Sequence, residues 1–335
     1  MSYTTDMHPW LVFDPQRAIE TICEKFRKAV FQSLKRKGVV VAVSGGIDSS
    51  VCAALAVRTF SREKVLALLL PERDSSVAGR TLGEMVCTHL GISFDVKDIT
   101  STLEAIGCYK WRDEAIRSVF PEYGSEWKSK IAISQNSIDS DGYNFFMMVV
   151  ESPQGERMEK RLPLKAYLQI VASTNFKQRI RKTLEYFHAD RLNYAVAGTP
   201  NRLEYDQGFF VKNGDGSADV KPIAHLYKSQ VYEIGKVLGL PEVIVSSQPT
   251  TDTYSLEQGQ DEFYFILPYE KMDIVLFGLN NGKTADEVAR ETGLSRMRIQ
   301  RVFQDIQNKR ATTHPLHMKP ILLEAIPEIH IDSLY

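Results

Sequence analysis

Apolar positions in the first part of the chain follow the period of a helix and then that of a buried strand. Between Asp14 and Lys37 they recur at three- and four-residue spacing, and Gly38 closes the stretch. An unbroken apolar run then begins at Val39 and stops at Ser44. It has the length of a central strand with both faces covered and is too short for a membrane span. The pattern predicts a helix that leads directly into a central strand.

Strands and helices alternate along much of the remaining chain. The pattern predicts helices at 47–60, 81–90 and 164–188, and further strands at 64–71, 92–99 and 194–198. This order is typical of an α/β fold, doubly wound, with a mainly parallel sheet and helices on both faces. Ligands of such sheets bind beyond the carboxyl ends of the strands.

We interpret residues 1–335 as a single α/β domain with two additions. At 107–162 the alternation breaks into polar loops around one or two strands, with a hairpin turn at Pro153 to Glu156, which indicates an insertion. Residues 283–335 form a C-terminal extension that the pattern predicts to be helical.

Composition excludes several classes of protein. The chain has 335 residues, 43% hydrophobic and 25% charged, as expected of a globular protein. With 41 basic and 42 acidic residues, its net charge of -1 gives no general attraction to nucleic acid or an anionic membrane. The N-terminal segment lacks the apolar core of a signal peptide, and no apolar run is long enough to cross a membrane, so we expect a cytoplasmic protein.

Four cysteines are present, without the spacing of a metal site. We expect them to be buried thiols in a reducing compartment: Cys23, Cys52, Cys87 and Cys108.

The segment SGGIDSS, directly after the central strand, has the composition of a phosphate-binding turn. Two glycines permit positive φ and close approach of a ligand, and the following residues fall where a helix has free N–H groups. No lysine follows the glycines, so this is not a Walker loop, and an ordinary glycine turn is the alternative. The predicted phosphate-binding residues are Ser44, Gly45, Gly46, Asp48, Ser49 and Ser50, and Asp48 is also a candidate magnesium ligand.

This loop resembles the SGGxDS loop of the N-type ATP pyrophosphatases, whose fold is adenine nucleotide α-hydrolase-like. Within that superfamily, later segments resemble the ammonia-dependent NAD synthetases. The resemblance covers roughly 15–105 and 165–320. The matching segments are GTxxxxE from Gly198 to Glu204, FFxKxGDGxxD from Phe209 to Asp219, PIxxLYK from Pro222 to Lys228, Pro249 with Thr250, LPYEKMD from Leu267 to Asp273, and Asn308 to Arg310.

The resemblance implies a ligase that forms a C–N bond. In this family, ATP adenylates the carboxylate of deamido-NAD, and ammonia then displaces AMP to give the amide. It implies magnesium ligands at Asp48 and Glu204, catalytic roles for Asp48, Lys228 and Thr250, and neutralisation of the phosphates by Lys228. ATP contacts are further expected from Thr199 and Arg73.

Further segments imply a site for the dinucleotide substrate. Asn175, Arg179 and Arg181 match the family's NxxxRxR, although helical spacing places only the first two on one face, and a surface helix is the alternative. Thr250 and Asp252 open a segment that forms a lid in the family. The remaining expected substrate contacts are Lys212, Asp215, Asp219 and Lys309.

The resemblance also implies partners. No glutaminase domain precedes residue 38, so we expect the nitrogen donor to be free ammonia or ammonia from a separate glutaminase. Family members are homodimers, and the helix at 14–37 is a candidate for the interface, although core packing explains its apolar face equally well.

Three departures from the family pattern leave alternatives open. Lys182 replaces a usual Met, Asn213 replaces a usual Tyr, and the insertion has no counterpart in the compact bacterial enzymes. A paralogue that amidates another carboxylic acid is therefore an alternative. A second one is a helix-turn-helix at 283–303 with Arg296, Arg298 and Arg301 on nucleic-acid phosphates, against which the balanced charge argues.

Overall fold

The computed structural model describes residues 7–133, 145–249, 254–259, 264–324 and 326. Its centre is a parallel sheet of four strands in the order β3-β2-β1-β7. Hydrogen-bonded strands lie in register with Val39 beside both Val65 and Ala195. The strands are β1 (Val39–Ala42), β2 (Val65–Leu69), β3 (Ser93–Val96) and β7 (Ala195–Ala197). The predicted fold class is confirmed.

Helices cover both faces of this sheet. Alternate side chains of each strand therefore pack into two different cores, one on each face. The larger core contains Val39, Val41 and residues of α1, α2, α3 and α8, while Val40 and Val196 pack against α6 on the other face. The helices that form these layers are α1 (Pro15–Lys28), α2 (Ile47–Phe60), α3 (Val77–Leu90), α6 (Leu164–Leu192) and α8 (Lys228–Val237).

The first helix ends earlier than the sequence predicted. After α1, one wider turn of π-helix spans Ala29–Ser33, and Lys35 then takes a positive φ of 55°. Gly38 is therefore not the helix stop. Glycine is needed there because a Cβ atom would collide with the carbonyl of Lys64 and the ring of Tyr194.

The segment predicted as an insertion contains a helix as well as the expected hairpin. Three antiparallel strands form a second sheet in the order β4-β5-β6. A separate core under this sheet includes Phe120, Ile131 and Met148. Helix α4 (Thr100–Ala105) precedes the segment, whose elements are α5 (Cys108–Arg117), β4 (Lys128–Ile133), β5 (Phe146–Glu151) and β6 (Arg157–Arg161).

Short helices and a C-terminal helical group complete the described chain. The predicted helical pair after Lys283 is confirmed, and Ile299, Val302 and Ile306 of its second helix are buried against α10. The helices are α7 (Arg202–Gln207), α9 (Glu242–Val245), α10 (Tyr269–Asn280), α11 (Ala285–Thr292) and α12 (Arg296–His317). Short 3-10 helices lie at Pro9–Leu11 and Arg62–Lys64.

No helix in the described ranges is long and apolar enough to cross a membrane. All four cysteines are free thiols. Cys52, Cys87 and Cys108 are buried, as predicted, whereas the prediction is wrong for Cys23, which is only partly buried.

Candidate active site

The SGGIDSS segment forms a tight turn between β1 and α2 at the carboxyl edge of the sheet. Gly45 has a φ of 86°, and a Cβ atom there would lie 2.6 Å from the carbonyl oxygen of Gly79 in the first turn of α3. Both the backbone conformation and the close approach require glycine. Gly46 is the N-cap residue of α2 and leaves its first N–H groups without a side-chain acceptor. These groups and the helix dipole are suited to a phosphate.

The three serines of the turn hold its shape through their own hydrogen bonds. Ser49 Oγ accepts from the Ser44 backbone N–H at 3.2 Å and donates to the Gly46 carbonyl at 3.0 Å. Ser50 Oγ donates to the same carbonyl at 2.8 Å and is fully buried. Ser44 Oγ lies 3.2 Å from Ser49 Oγ. The hydroxyls of Ser49 and Ser50 therefore stabilise the turn, whether or not they also contact phosphate.

Asp48 and Lys228 meet at the start of two helices. Asp48 is in the first turn of α2, Lys228 is the first residue of α8, and Lys228 Nζ donates to Asp48 Oδ2. The lysine side chain is only 2% exposed, so its charge is held in the protein interior. Glu204, from α7, belongs to the same electrostatic group, because it perturbs the pKa of Lys228. Residues far apart in sequence thus converge as predicted.

The electrostatics of Asp48, Glu204 and Lys228 favour protonation of one of the two carboxyl groups. Burial, followed by the negative charge of Asp48, raises the pKa of Glu204 to about 8. Burial alone lowers the pKa of Lys228, but Asp48 and Glu204 outweigh it, so the pKa of Lys228 is raised. Lys228 therefore stays charged, while Glu204 is protonated at neutral pH. Two carboxyl groups close enough to repel each other are suited to share a divalent cation.

Asn201 is a further site residue that the sequence reasoning did not select. Its Nδ2 donates to Asp48 Oδ1 at 3.1 Å, and its Oδ1 accepts from the Leu203 and Glu204 backbone N–H groups. Glu204 Oε2 accepts in return from the Asn201 N–H at 3.1 Å, which completes a capping box on α7. The Asn-x-x-Glu spacing is a sequence signal for this motif. Asn201 thus joins the two candidate metal ligands.

Asp273 fixes the helix end that carries Lys228. It is fully buried on α10 and accepts from the backbone N–H groups of Lys228 at 3.1 Å and Ser229 at 2.7 Å. Burial raises the pKa of Asp273 to about 6, against the opposing effect of these bonds. Sequence reasoning placed Asp273 in a family motif but gave it no role.

Two predicted nucleotide contacts lie after other strands of the same edge. Thr199 follows β7 and is half-buried. Arg73 follows β2, and its guanidinium lies 3.7 Å above the ring of Tyr109 in α5. The Arg73 side chain remains 39% exposed. Both stay candidate ATP contacts.

The predicted substrate residues of α6 lie in different surroundings. Arg181 Nε donates to the Leu70 carbonyl at the end of β2, at 3.0 Å. Arg179 is exposed and donates to the Lys212 carbonyl at 3.3 Å, while Asn175 is half-buried. The expected divergence of Arg179 and Arg181 is present, and it is Arg181 that reaches the carboxyl edge of the sheet.

The loop between α7 and α8 is tied down by its own acidic residues. Asp215 Oδ1 accepts from the Val211 N–H at 2.7 Å, and Asp219 Oδ2 accepts from the Val196 N–H of β7 at 2.8 Å. Burial raises the pKa of Asp215. These contacts give both aspartates a structural role in shaping the loop.

Two predicted substrate lysines contact the C-terminal helical group. Lys212 Nζ donates to the Pro315 carbonyl at 2.8 Å, and Lys309 Nζ donates to Asp305 at 2.6 Å and to the Tyr264 carbonyl. Desolvation lowers the pKa of Lys309. Thr250 and Asp252, predicted to be catalytic and to open the lid, lie outside the described residues.

The described residues are better suited to a cation that is also bound by oxygens of a ligand than to a metal site made of protein side chains alone. No group of three or more His, Cys, Asp or Glu side chains that could hold a metal occurs among them. Asp48 and Glu204 supply two oxygen donors, and phosphate oxygens are the expected complement for a hard cation.

The model of the family described as NAD synthase matches residues 18–119 and 142–315. The chain belongs to the NAD synthase family. The gap in the match, 120–141, lies inside the segment predicted as an insertion. An NH3-dependent NAD+ synthetase of Rhizobium meliloti is 55% identical over 302 residues, 90% of each chain.

Solved structures share the fold. An NMN synthetase from Francisella tularensis has a TM-score of 0.64 at 21% identity, over 93% of this chain and 99% of the other. An NH3-dependent NAD synthetase from Campylobacter jejuni has a TM-score of 0.62 at 23% identity, over 93% and 100%. At these identities the likeness concerns the fold alone. The family resemblance and the fold expected from the sequence are both confirmed.

Proposed function

We propose that the protein is an ammonia-dependent NAD synthetase. It uses ATP to adenylate the carboxylate of deamido-NAD and transfers ammonia to it, with release of AMP and pyrophosphate. The observation that carries this proposal is the convergence of Asp48, Glu204 and Lys228 beside the glycine turn. It is supported by the 55% identity to a relative described as an NH3-dependent NAD+ synthetase.

The chemistry follows from what the side chains can do. A carboxylate is a poor electrophile, so one of its oxygens must first become part of a leaving group. The turn at Gly45 and Gly46 offers N–H groups to the phosphates, and Lys228 offers a fixed positive charge where charge builds up on the departing pyrophosphate. Since Asp273 holds the start of α8 from α10, this ammonium group is oriented before ATP binds.

We propose Mg²⁺ as the cofactor, held by Asp48 and Glu204. When bound, it would neutralise phosphate oxygens and make pyrophosphate a better leaving group. The chain's own part is to keep the two carboxylates together through Asn201, which bonds to both.

We also propose a homodimer. The apolar face of α1 is unavailable for it, since Ile19, Ile22 and Phe26 are buried in the core of the same chain. Leu168 and Phe187 of α6 are 56% and 58% exposed and offer apolar surface instead. Light scattering coupled to size exclusion should give twice the mass of the chain. A monomer would refute the dimer without affecting the reaction.

The function is tested with purified protein, ATP, Mg²⁺, an ammonium salt and deamido-NAD. We expect NAD, AMP and pyrophosphate in equal amounts. Release of ADP and phosphate would refute the proposal. A parallel reaction with nicotinic acid mononucleotide tests the alternative that the protein is a paralogue acting on another carboxylic acid. In that case AMP would be released with nicotinic acid mononucleotide and not with deamido-NAD.

A further inference from the structure

The loop that carries Arg73 is locked by a buried group of charges. Glu72 and Asp74 point into the protein on either side of Arg73 and are 4% and, at the side chain, 7% exposed. Lys177 of α6 donates to Glu72 Oε1 at 2.9 Å and to Asp74 Oδ2 at 2.8 Å. Neither the adenylation chemistry nor the phosphate turn uses these residues. Their arrangement therefore requires another explanation.

Helix α5 supplies the other half of this group. Tyr109 OH donates to Glu72 Oε2 at 2.7 Å, and Arg112 donates to Asp74 Oδ2 and, at 2.8 Å, to Asp113. The charges of Arg112 and Lys177 lower the pKa of Asp74 to about 2, although burial opposes this. Both acidic residues of the loop therefore have cationic or hydroxyl donors from two different helices.

Arg73 is oriented in the opposite way. Its guanidinium lies over the face of the Tyr109 ring, 3.7 Å from the centroid, and contacts Asp74 only at 3.7 Å. A guanidinium stacked on an aromatic ring keeps its in-plane N–H groups free to bind a phosphate or a planar base. The side chain is thus held in one direction while its donors stay available.

The locked loop adjoins the phosphate turn. Ser76, three residues after Arg73, caps α3 by accepting from the Gly79 N–H at 3.0 Å, and the carbonyl of Gly79 packs against Gly45. Arg181 Nε secures the start of the loop at the Leu70 carbonyl. A displacement of the loop would therefore change the positions of both Arg73 and the phosphate-binding turn.

We propose that Tyr109 of α5 is a positioning residue for ATP, which holds Arg73 against the nucleotide by stacking on its guanidinium, while the ion pairs of Arg112 and Lys177 fix the loop at 70–76 that carries Arg73. Helix α5 then forms part of the nucleotide site without contacting ATP. This inference rests on the proposed function for the identity of the nucleotide.

Three variants separate stacking from hydrogen bonding. Arg73→Ala removes the proposed contact, Tyr109→Leu removes the ring, and Tyr109→Phe keeps the ring but loses the bond to Glu72. Trp111→Leu is the matched control, since Trp111 lies on the same helix and packs on Phe176 instead. Affinity for an ATP analogue is measured by calorimetry without acceptor, so that binding is read independently of the overall reaction.

Loss of one charge-assisted contact predicts about tenfold weaker ATP binding for Arg73→Ala, and we expect the same for Tyr109→Leu. Tyr109→Phe should stay within about twofold of wild type, because the stacking of Arg73 is kept. The double variant Arg73→Ala with Tyr109→Leu should bind no more weakly than Arg73→Ala alone. In turnover assays, the KM for ATP should rise while the KM for the acceptor and kcat stay nearly constant.

Wild-type ATP binding by Tyr109→Leu would refute the positioning role, provided that Arg73→Ala binds weakly. Unchanged binding by Arg73→Ala would remove Arg73 from the nucleotide site. A loss of affinity in Trp111→Leu equal to that in Tyr109→Leu would indicate a general disturbance of α5 and also refute it. Failure of wild type to bind any ATP analogue would instead contradict the proposed function.

Discussion

Replacing Asp48 by asparagine removes the partner of a buried lysine, yet we expect the fold to tolerate it. Lys228 is 2% exposed, and leaving such a charge without a partner costs about 3–5 kcal/mol. A second carboxyl group is at hand, since Asp48 is one of the causes that raise the pKa of Glu204 to about 8. Without the charge of Asp48, Glu204 should ionise at neutral pH and balance Lys228 in its place.

The same reasoning predicts how much stability three variants lose. Glu204→Gln replaces a group that is already neutral at pH 7 and keeps an acceptor for the Asn201 N–H, so its cost should be below about 1 kcal/mol. Asp48→Asn should cost about 1–2 kcal/mol. The double variant leaves Lys228 without either carboxylate and should lose about 3–5 kcal/mol in total, which is more than the sum of the two single changes.

Urea unfolding of the four proteins at one pH measures this coupling, and turnover is recorded on the same samples. Asp48→Asn should be inactive although folded. Additive stability changes in the double variant would show that Glu204 does not take over from Asp48. Full activity of Asp48→Asn would refute its role in the site.

Three further predictions follow from the same group of residues. Burial raises the pKa of Glu204 from its ordinary value of 4.5 to about 8, so the unfolded state loses this proton at a lower pH than the folded state does. The stability of wild type relative to Glu204→Gln should therefore fall from about pH 5 to about pH 8 and level off above it, and a constant difference in urea unfolding would contradict the shift. Mg²⁺ binding in the presence of an ATP analogue should release about one proton at pH 7, seen by calorimetry in buffers of different ionisation enthalpy, and Glu204→Gln should release none. Asn201→Ala should lower stability by about 1 kcal/mol and kcat by about tenfold or more, whereas Thr284→Ala, which removes a similar cap on α11, should cost the same stability with unchanged kcat; equal kcat in both variants would remove Asn201 from the site.

Where local pattern and burial agree, the sequence was sufficient. The run from Val39 and the helix at 47–60 were predicted because every buried position there is apolar or small. The phosphate turn could be recognised for a related reason, since its glycines are required by a backbone that only glycine adopts readily.

Helix α5 was missed because its buried face includes a charge. Cys108, Tyr109, Arg112, Ala115 and Ile116 are buried at helical spacing, but Arg112 is read as a surface residue when only hydrophobicity is considered. Its partner Asp74 lies far away in sequence, and a long-range ion pair leaves no periodic signal. The burial of Lys177 in α6 has the same cause, since its partners Glu72 and Asp74 also lie far away in sequence.

Outside the phosphate turn, the roles of Glu204 and Lys228 were predictable only through the family resemblance. Nothing near Glu204 or Lys228 in sequence indicates Asp48 as a partner, because the three lie on different helices. The supporting residues Asn201 and Asp273 required the structure, since their roles consist of hydrogen bonds to other elements.

The basic helix of the C-terminal group is explained by packing. Its residues Ile299, Val302 and Ile306 face α10, and Arg296 pairs with Asp286 of α11 at 3.5 Å. Arg310 of the same helix donates two hydrogen bonds to Asp206 of α7, at 2.6 and 2.8 Å. The C-terminal helices therefore support α7.

The central claim is that the carboxylate is adenylated before ammonia attacks. It is tested most directly with deamido-NAD whose carboxylate carries a heavy oxygen isotope, with the products examined by mass spectrometry. If the carboxylate displaces pyrophosphate from ATP, one labelled oxygen must appear in AMP and none in pyrophosphate. Label in inorganic phosphate or pyrophosphate, or AMP without label, would contradict the account.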